Sequence, residues 1–405
     1  MSAMTQQLRV LSVYEGFFAG GARILHSRVI ASLHGRAGQH HSVLSIHREM
    51  RRESLHQTMT RDASYRLLRA AGLRVSTLGR TADAASDRNG FTLQELEVAT
   101  RHLAETEVVL SLKEQPLRLV CAPGLPHRPV VVCLHRSDPQ NQGPALDDLK
   151  AAVASGRVVA IICCAESTRD AYAAAGIPAS LLHVVPNGAD RRRFRPAGAW
   201  TRARLRRALG VPTGVPMVVF AARHDPMKNV PLFLRAAREF LRREPTAEVV
   251  ACGAGMSRAN PVLREEIREA FGDERDLLAR LHLLGVRQDV ENIYRAADVV
   301  TLTSAVGEAA PLSLIEGMMS GAVPVTTDVG DCASIVEGRG LVVAPDPEAI
   351  SEAWTQAYAR REQFLAGTAA VAERFSHRRM VRSYGQIIAS LRERPRMRRL
   401  ATTAA

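Results

Sequence analysis

What most constrains this chain is an alternation of short apolar runs with stretches of helical periodicity, repeated nearly from end to end. "LRVLSVY" (8–14) has the length and composition of a buried strand. "RILHSRVIASLHGR" then sets apolar residues at helical spacing, and "HSVLSI" reads as a second strand. "LRVST", "EVVLSL", "PVVVCL", "VVAIICC" and "LLHVV" continue the series. A second series opens at "PMVVFAAR" and runs through "AEVVACG", "LHLLG", "DVVTLTS", "AVPVTT" and "GLVVA". The order βαβα predicts parallel sheets with helices on both faces. Between the two series lies "NGADRRRFRPAGAW" (187–200), rich in Gly, Pro and Arg and poor in apolar periodicity, which reads as a hinge.

The expected architecture is therefore α/β, with two Rossmann-like parallel-sheet domains over 1–190 and 197–375. "RRMVRSYGQIIASLRER" supplies a last helix within 376–395. With 405 residues the chain exceeds one typical core, which agrees with two domains. No apolar run approaches the ~18 residues of a membrane span. The start, "MSAMTQQLRVLSVYEG", has neither a long apolar stretch nor a small-residue cleavage site, so no signal peptide is read. Six cysteines without a CxxC, mostly in apolar runs, fit reduced thiols, and a cytoplasmic location is expected.

The net charge of +13 raises the question of nucleic acid. The excess is nearly all arginine, since Lys113, Lys150 and Lys228 are the only lysines. Arginine is scattered rather than gathered in a stripe, which argues against a nucleic-acid partner. Only "RERPRMRRL" (392–400), which runs into a tail over 396–405 expected to be disordered, is densely basic. A solvated end is favoured there over contact with anionic lipid.

In open parallel sheets ligands bind beyond the carboxyl ends of the strands, and two such sheets facing each other enclose a cleft. After the first strand, Gly20 and Gly21 precede a helix and let backbone N–H groups approach a ligand, although a tight turn explains them equally. After "PVVVCL" come His135, Arg136 and Asp138; an imidazole there can bond a hydroxyl or move a proton. "SLKEQ" brings Lys113, Glu114 and Gln115 to another strand end. In the second half, Arg223 and Lys228 follow a strand, a planar fork and a point charge suited to a diphosphate. "VVACGAGMSRAN" carries GxG without a third glycine, which weakens a dinucleotide fingerprint. The loop at Val286 and Arg287 is placed to offer main-chain groups to a base.

"GEAAPLSLIEG" (307–317) completes the pattern. Its glutamates, Glu308 and Glu316, stand eight apart around Pro311, which suits the first turn of a helix. Glu308 then lies in the loop and Glu316 in the second turn, with free N–H groups at the helix start between them. Two cations, a helix start and two carboxylates describe a sugar-nucleotide site.

The sequence resembles the retaining glycosyltransferases of family 4, which have the GT-B fold. The resemblance rests on "GGA" (20–22), "LH" (134–135), "VVPNGADRRRFRP" (184–196), "ARHDPMKN" (222–229), "LLGVRQDVENIYRAADV" (283–299) and "EAAPLSLIEGMMSGAVPVTTDVG" (308–330), in that order. It implies that Glu308 meets the donor sugar and Glu316 the ribose. It implies that Arg223 and Lys228 clamp the diphosphate with backbone at Ala310, Pro311 and Leu312. Gly21 would lie near the phosphates, His135 at the sugar or reacting centre, and the main chain of Arg287 at the base. The last helix would return to pack on the N-terminal domain, which would bind the acceptor through Lys113, Glu114, Arg136 and Asp138. Arg23 and Ala309 depart from the family pattern, which has Glu and Gly there.

The expectation is transfer of a hexose (glucose, N-acetylglucosamine or mannose type) with retention from an NDP-sugar, UDP before GDP. No metal and no further cofactor are called for. The expected acceptor is a polar small molecule such as an aminocyclitol or other natural product, as in antibiotic biosynthesis. The alternatives are synthesis of a cell-surface polysaccharide or glycolipid, and, in another class, a sugar-nucleotide epimerase using His135.

Overall fold

A computed structural model describes residues 7–18, 20–36, 38–52, 55–81, 90–366 and 368–393. The basic tail lies outside them. Nine strands precede the hinge: β1 Leu8–Tyr14, β2 Gln39–His47, β3 Glu49–Arg52, β4 Leu55–Thr58, β5 Arg74–Arg80, β6 Val108–Leu112, β7 Val130–Leu134, β8 Val158–Cys163 and β9 Leu182–Val184. Six follow it: β10 Met217–Ala221, β11 Glu248–Cys252, β12 Leu281–Leu283, β13 Val299–Leu302, β14 Val323–Thr327 and β15 Leu341–Val343. The first sheet runs β5-β2-β1-β6-β7-β8-β9 and the second β12-β11-β10-β13-β14-β15. All pairings within both are parallel, whereas β3 and β4 form a separate antiparallel hairpin.

The central strands β6, β7 and β14 are buried along their whole length, as strands covered on both faces must be. In the second lobe helix Val230–Arg243 begins with Pro231 in its first turn and with the Asn229 side chain accepting from the Leu232 N–H at 3.4 Å. Its Phe233 and Phe240 pack on Trp354 at centroid distances of 6.2 and 5.5 Å. The Trp354 Nε1–H, deep in that core, donates to Thr301 Oγ1 at 3.0 Å.

The last helix, His377–Glu393, belongs to the first lobe. Met380, Tyr384 and Ile388, four residues apart, form one buried stripe in the same core as Val10, Leu25, Val29 and Leu110. The chain thus crosses between lobes twice, and the crossings touch. The Ala189 N–H donates to the Phe375 carbonyl at 2.8 Å, and the His377 N–H to that of Ala189 at 3.0 Å.

The lobes also meet directly. Both oxygens of Asp331 accept N–H groups from the first turn of the facing helix Glu166–Ala174, from Glu166 and Ser167, each at 2.9 Å. Asn187 donates to the Ala310 carbonyl at 2.7 Å. Ala309 is buried against Cys164 and Ala165, so the methyl at this departure from the family pattern fills an interlobe contact. Among the described residues no helix is long and apolar enough to cross a membrane.

Candidate functional site

The site forms where loops leaving β7, β10 and β13 converge between the lobes. The loop after β10 carries Arg223 and Lys228, and Asn229 closes it in left-handed backbone, φ 49°. The Arg223 guanidinium pairs with Asp225 at 2.5 Å. The Lys228 ammonium donates to Glu308 Oε1, the oxygen that also accepts from Ser304 Oγ at 2.6 Å. Lys228 and Glu308 side chains are 13% and 7% exposed, so the pair is shielded and each charge depends on the other.

Glu308 lies in the loop before helix Leu312–Met319, and Glu316 in its second turn, as the spacing predicts. Pro311 precedes the first turn rather than sitting within it, and no side chain caps this helix start. The N–H groups of Leu312 and Ser313 are therefore available to an anion, at the positive end of the helix dipole. The loop is held by a close approach at Gly330, φ 60°, where a Cβ would stand 2.2 Å from the Glu308 carbonyl oxygen. Gly253 of the GxG does the same for another pair of loops: a Cβ there would lie 2.0 Å from the Ala222 oxygen. That glycine serves packing between β10 and β11, consistent with the missing dinucleotide fingerprint.

Glu316 is buried, and burial pushes its carboxyl up to about 7. Arg28, on helix Gly21–Leu33 of the other lobe, and Arg193 pull it down, and Glu291 pushes it further up. The Arg28 Nη1 is 3.9 Å from Glu316 Oε1, beyond hydrogen-bond reach.

On the first-lobe wall, Arg136 makes a fork with Asp138 at 2.7 and 2.5 Å, and the nearby Asp225 of the facing lobe also favours its charge. Both groups lie 2.9 Å from where a Cβ would stand on Gly307, with Met227 Sδ at 3.0 Å. Ser137 Oγ donates to the Glu308 carbonyl. The His135 Nε2 is buried without a partner among the described residues, and burial, aided by Lys113, lowers the imidazole to about 3. Gly21 faces the same helix start: its Cβ position is 3.4 Å from Leu312 Cδ1.

Other residues singled out in the sequence have side chains engaged locally or strained backbone. Glu114 is buried and accepts from the Tyr172 hydroxyl, and burial raises its carboxyl above the usual range. Its side chain is thus engaged within the first lobe. Lys113 holds left-handed backbone, φ 68°, a conformation costly for a residue with a Cβ. Arg287 forks onto Asp289 at 2.8 Å in an exposed loop, so its side chain is occupied. Arg23 is turned onto Phe18, donating to its carbonyl at 2.5 Å. Sequence reading missed Arg28, Ser137, Ser304 and Asp331. Ser137 and Asp331 were inside or beside quoted motifs, but nothing local marks a side chain whose partner is 164 to 171 positions away.

Two facing Rossmann-like lobes with an anion-seeking helix start in the cleft define the GT-B class. Residues 101–193 match the family model described as Glycosyltransferase Family 4, and residues 215–360 match that of glycosyl transferases group 1. Both halves of the chain thus match glycosyltransferase models. It is similar to the D-inositol 3-phosphate glycosyltransferase of Corynebacterium urealyticum, 31% identical over 46% of this chain and 45% of the relative. A protein of the same name from Xylanimonas cellulosilytica is 30% identical over 58% of this chain and 57% of its own length. The chain thus spans about half the length of the curated relatives it matches. Among solved structures, Anabaena Alr3699/HepE with UDP-glucose aligns with a TM-score of 0.76 at 18% identity, over 95% of this chain and all of that one. Sucrose-phosphate synthase from Thermosynechococcus elongatus gives 0.73 at 17% identity, over 95% of this chain and 99% of that one. Both likenesses concern the fold.

Proposed function

We propose that this protein is a retaining hexosyltransferase that moves a sugar from an NDP-sugar to a hydroxyl of a polar small molecule. The observation that carries the reading is the Lys228 ammonium paired with Glu308 in the loop just before the uncapped start of helix Leu312–Met319, which bears Glu316. In this reading the diphosphate lies against Arg223, Lys228 and the N–H groups of Leu312 and Ser313. Sugar hydroxyls donate to Glu308, which frees Lys228 to turn to the phosphate. Ribose hydroxyls donate to Glu316. The bond from the anomeric carbon to the phosphate oxygen breaks, the acceptor oxygen bonds to that carbon, and the acceptor proton passes to the departing phosphate. Neutralising the charge that develops on that phosphate is the main contribution of the protein.

His135, held neutral, serves as a hydrogen-bonding group towards the sugar rather than as an acid. The same low basicity weighs against an epimerase, which needs a proton carrier there. UDP-sugars are favoured as donors because the similar Anabaena protein binds UDP-glucose. D-inositol 3-phosphate, inositol and aminocyclitols are the acceptors to try first, since the curated relatives are named for the first of these. The first-lobe wall, with Arg136 neutralised by Asp138, suits a polar acceptor better than a strongly anionic one. Incubation with UDP-glucose, UDP-N-acetylglucosamine and GDP-mannose against these acceptors, read by mass spectrometry and anomeric NMR, tests the proposal. A glycoside of retained configuration is expected. An altered sugar still on its nucleotide would favour the epimerase.

A further inference from the structure

A second charged cavity, of about 570 Å3, lies at the opposite end of the second sheet from the cleft. Its floor is Asp298, immediately before β13, which accepts the Met217 N–H at 3.0 Å at the start of β10. Helix Ala199–Ala208 forms one wall and the segment 358–363 the other. Three guanidiniums close on the single Asp298 carboxylate. Arg202 donates to it, Arg206 donates to it at 2.6 Å, and Arg361 stands 3.6 Å away.

One carboxylate does not balance three guanidiniums. With Arg360 and Glu362 at the rim, the lining carries four positive groups against two negative. Arg206 is saturated by the carbonyls of Ala296 and Val215 and is structural. Arg202 and Arg361 each donate to one carbonyl, of Ala297 at 3.1 Å and of Gly321 at 2.6 Å, but each is about a quarter exposed and has a buried Nε without a partner among the described residues. Burial lowers the Arg361 pKa, the guanidiniums of Arg202 and Arg206 lower it further, and Asp298 raises it. Water and salt tolerate such crowding on a surface, but a recess concentrates it and draws in an anion. The volume suits a small metabolite rather than a bare ion. Tyr358 and Ala203 add less polar wall.

We infer that this recess is a binding site, separate from the donor cleft, for a small molecule bearing a phosphoryl dianion, held by Arg202 and Arg361. The site adjoins the helix that follows the first interlobe crossing and the segment that leads towards the second, so its occupant bears on both connections.

The test uses the full chain carrying Arg223→Met and Lys228→Met, which removes both side-chain cations that the proposed function places on the cleft's phosphate. Titration calorimetry with inorganic phosphate and, separately, glycerol 3-phosphate is expected to show one site per chain, with the ester binding more tightly if the recess is built for a metabolite. Arg202→Gln and Arg361→Gln should each weaken binding at least ~10-fold, the loss typical of a charge-assisted contact. Should either variant misfold, Ala203→Glu adds a carboxylate to the same wall without removing an arginine, and should weaken binding similarly. Absence of binding by both probes at millimolar concentration in the Arg223→Met, Lys228→Met chain overturns the inference. So does binding that all three recess substitutions leave unchanged.

Discussion

The two walls of the cleft are built on the same kind of sheet but with opposite electrostatics. The second-lobe wall keeps its charges: Lys228 against Glu308 and Arg223 against Asp225, at strand ends locked by close glycine contacts. The first lobe keeps the Arg136–Asp138 pair at the cleft but buries several other ionisable groups. His26, His41 and His135 are all lowered to about 3 by burial, and Glu114 is raised. A lobe that keeps charge can meet the charge of a leaving diphosphate, while a lobe that suppresses it can bond hydroxyls without competing for that anion. In the proposed reading, the difference between the walls separates a donor side from an acceptor side.

The largest break in that contrast should come from Lys228→Met and Glu308→Gln. Each removes half of a shielded pair and should lower kcat by about 10²–10³-fold, the size seen for lost transition-state charge contacts. His135→Ala on the other wall should cost less, about 10-fold if it contributes a single hydrogen bond. Equal losses would erase the distinction between the walls.

Acid should separate the lobes through stability. The three buried histidines have folded pKa values near 3 against an ordinary value of 6.5. Above 6.5 both states are neutral and nothing changes. Below it the unfolded chain takes up protons that the folded one refuses, so stability falls as pH drops towards 3. Glu316, raised to about 7, and Glu114, also raised, act in the reverse sense, but they are two carboxyls against three imidazoles. Denaturant midpoints at pH 8 and pH 5 should show the net loss, and His41→Gln should flatten it.

Glu316 sharpens the donor side. If its carboxylate accepts from ribose, the donor KM should rise as pH falls through about 7, and Glu316→Gln should be insensitive over that range. Acceptor KM should not follow.

The smallest effect concerns the strained residues, one in each lobe. Lys113→Gly relieves a left-handed backbone worth about 1 kcal/mol but adds freedom to the unfolded chain by a similar amount, so the Tm should hardly move. If Lys113 bears on the acceptor, the acceptor KM alone should rise.

Much of the framework was legible in the sequence, for identifiable reasons. Runs such as "VVVCL" and "VVFA" are apolar throughout because their strands are covered on both faces. The E-x7-E spacing reads directly because helix 312–319 imposes it. The β3–β4 hairpin was missed because "EMRR" and "LHQT" lack an apolar pattern. The arginine cluster on Asp298 was invisible, since Arg202, Arg206 and Arg361 are spread along a chain rich in arginine and only the fold gathers them. Glu114 was expected at the acceptor; its bond to Tyr172 spans 58 positions that carry no common signal.

The most direct test of the central claim compares a nucleoside diphosphate with its nucleoside, UDP with uridine and GDP with guanosine, by calorimetry on the unaltered chain and on the Arg223→Met, Lys228→Met double variant. For the base the protein accepts, the diphosphate should bind about 100-fold more tightly than the nucleoside, the scale of two charge-assisted contacts. In the double variant that gap should shrink below ~10-fold while nucleoside binding persists. An undiminished gap would mean that the diphosphate is held somewhere else, and the account of the second-lobe wall would fail.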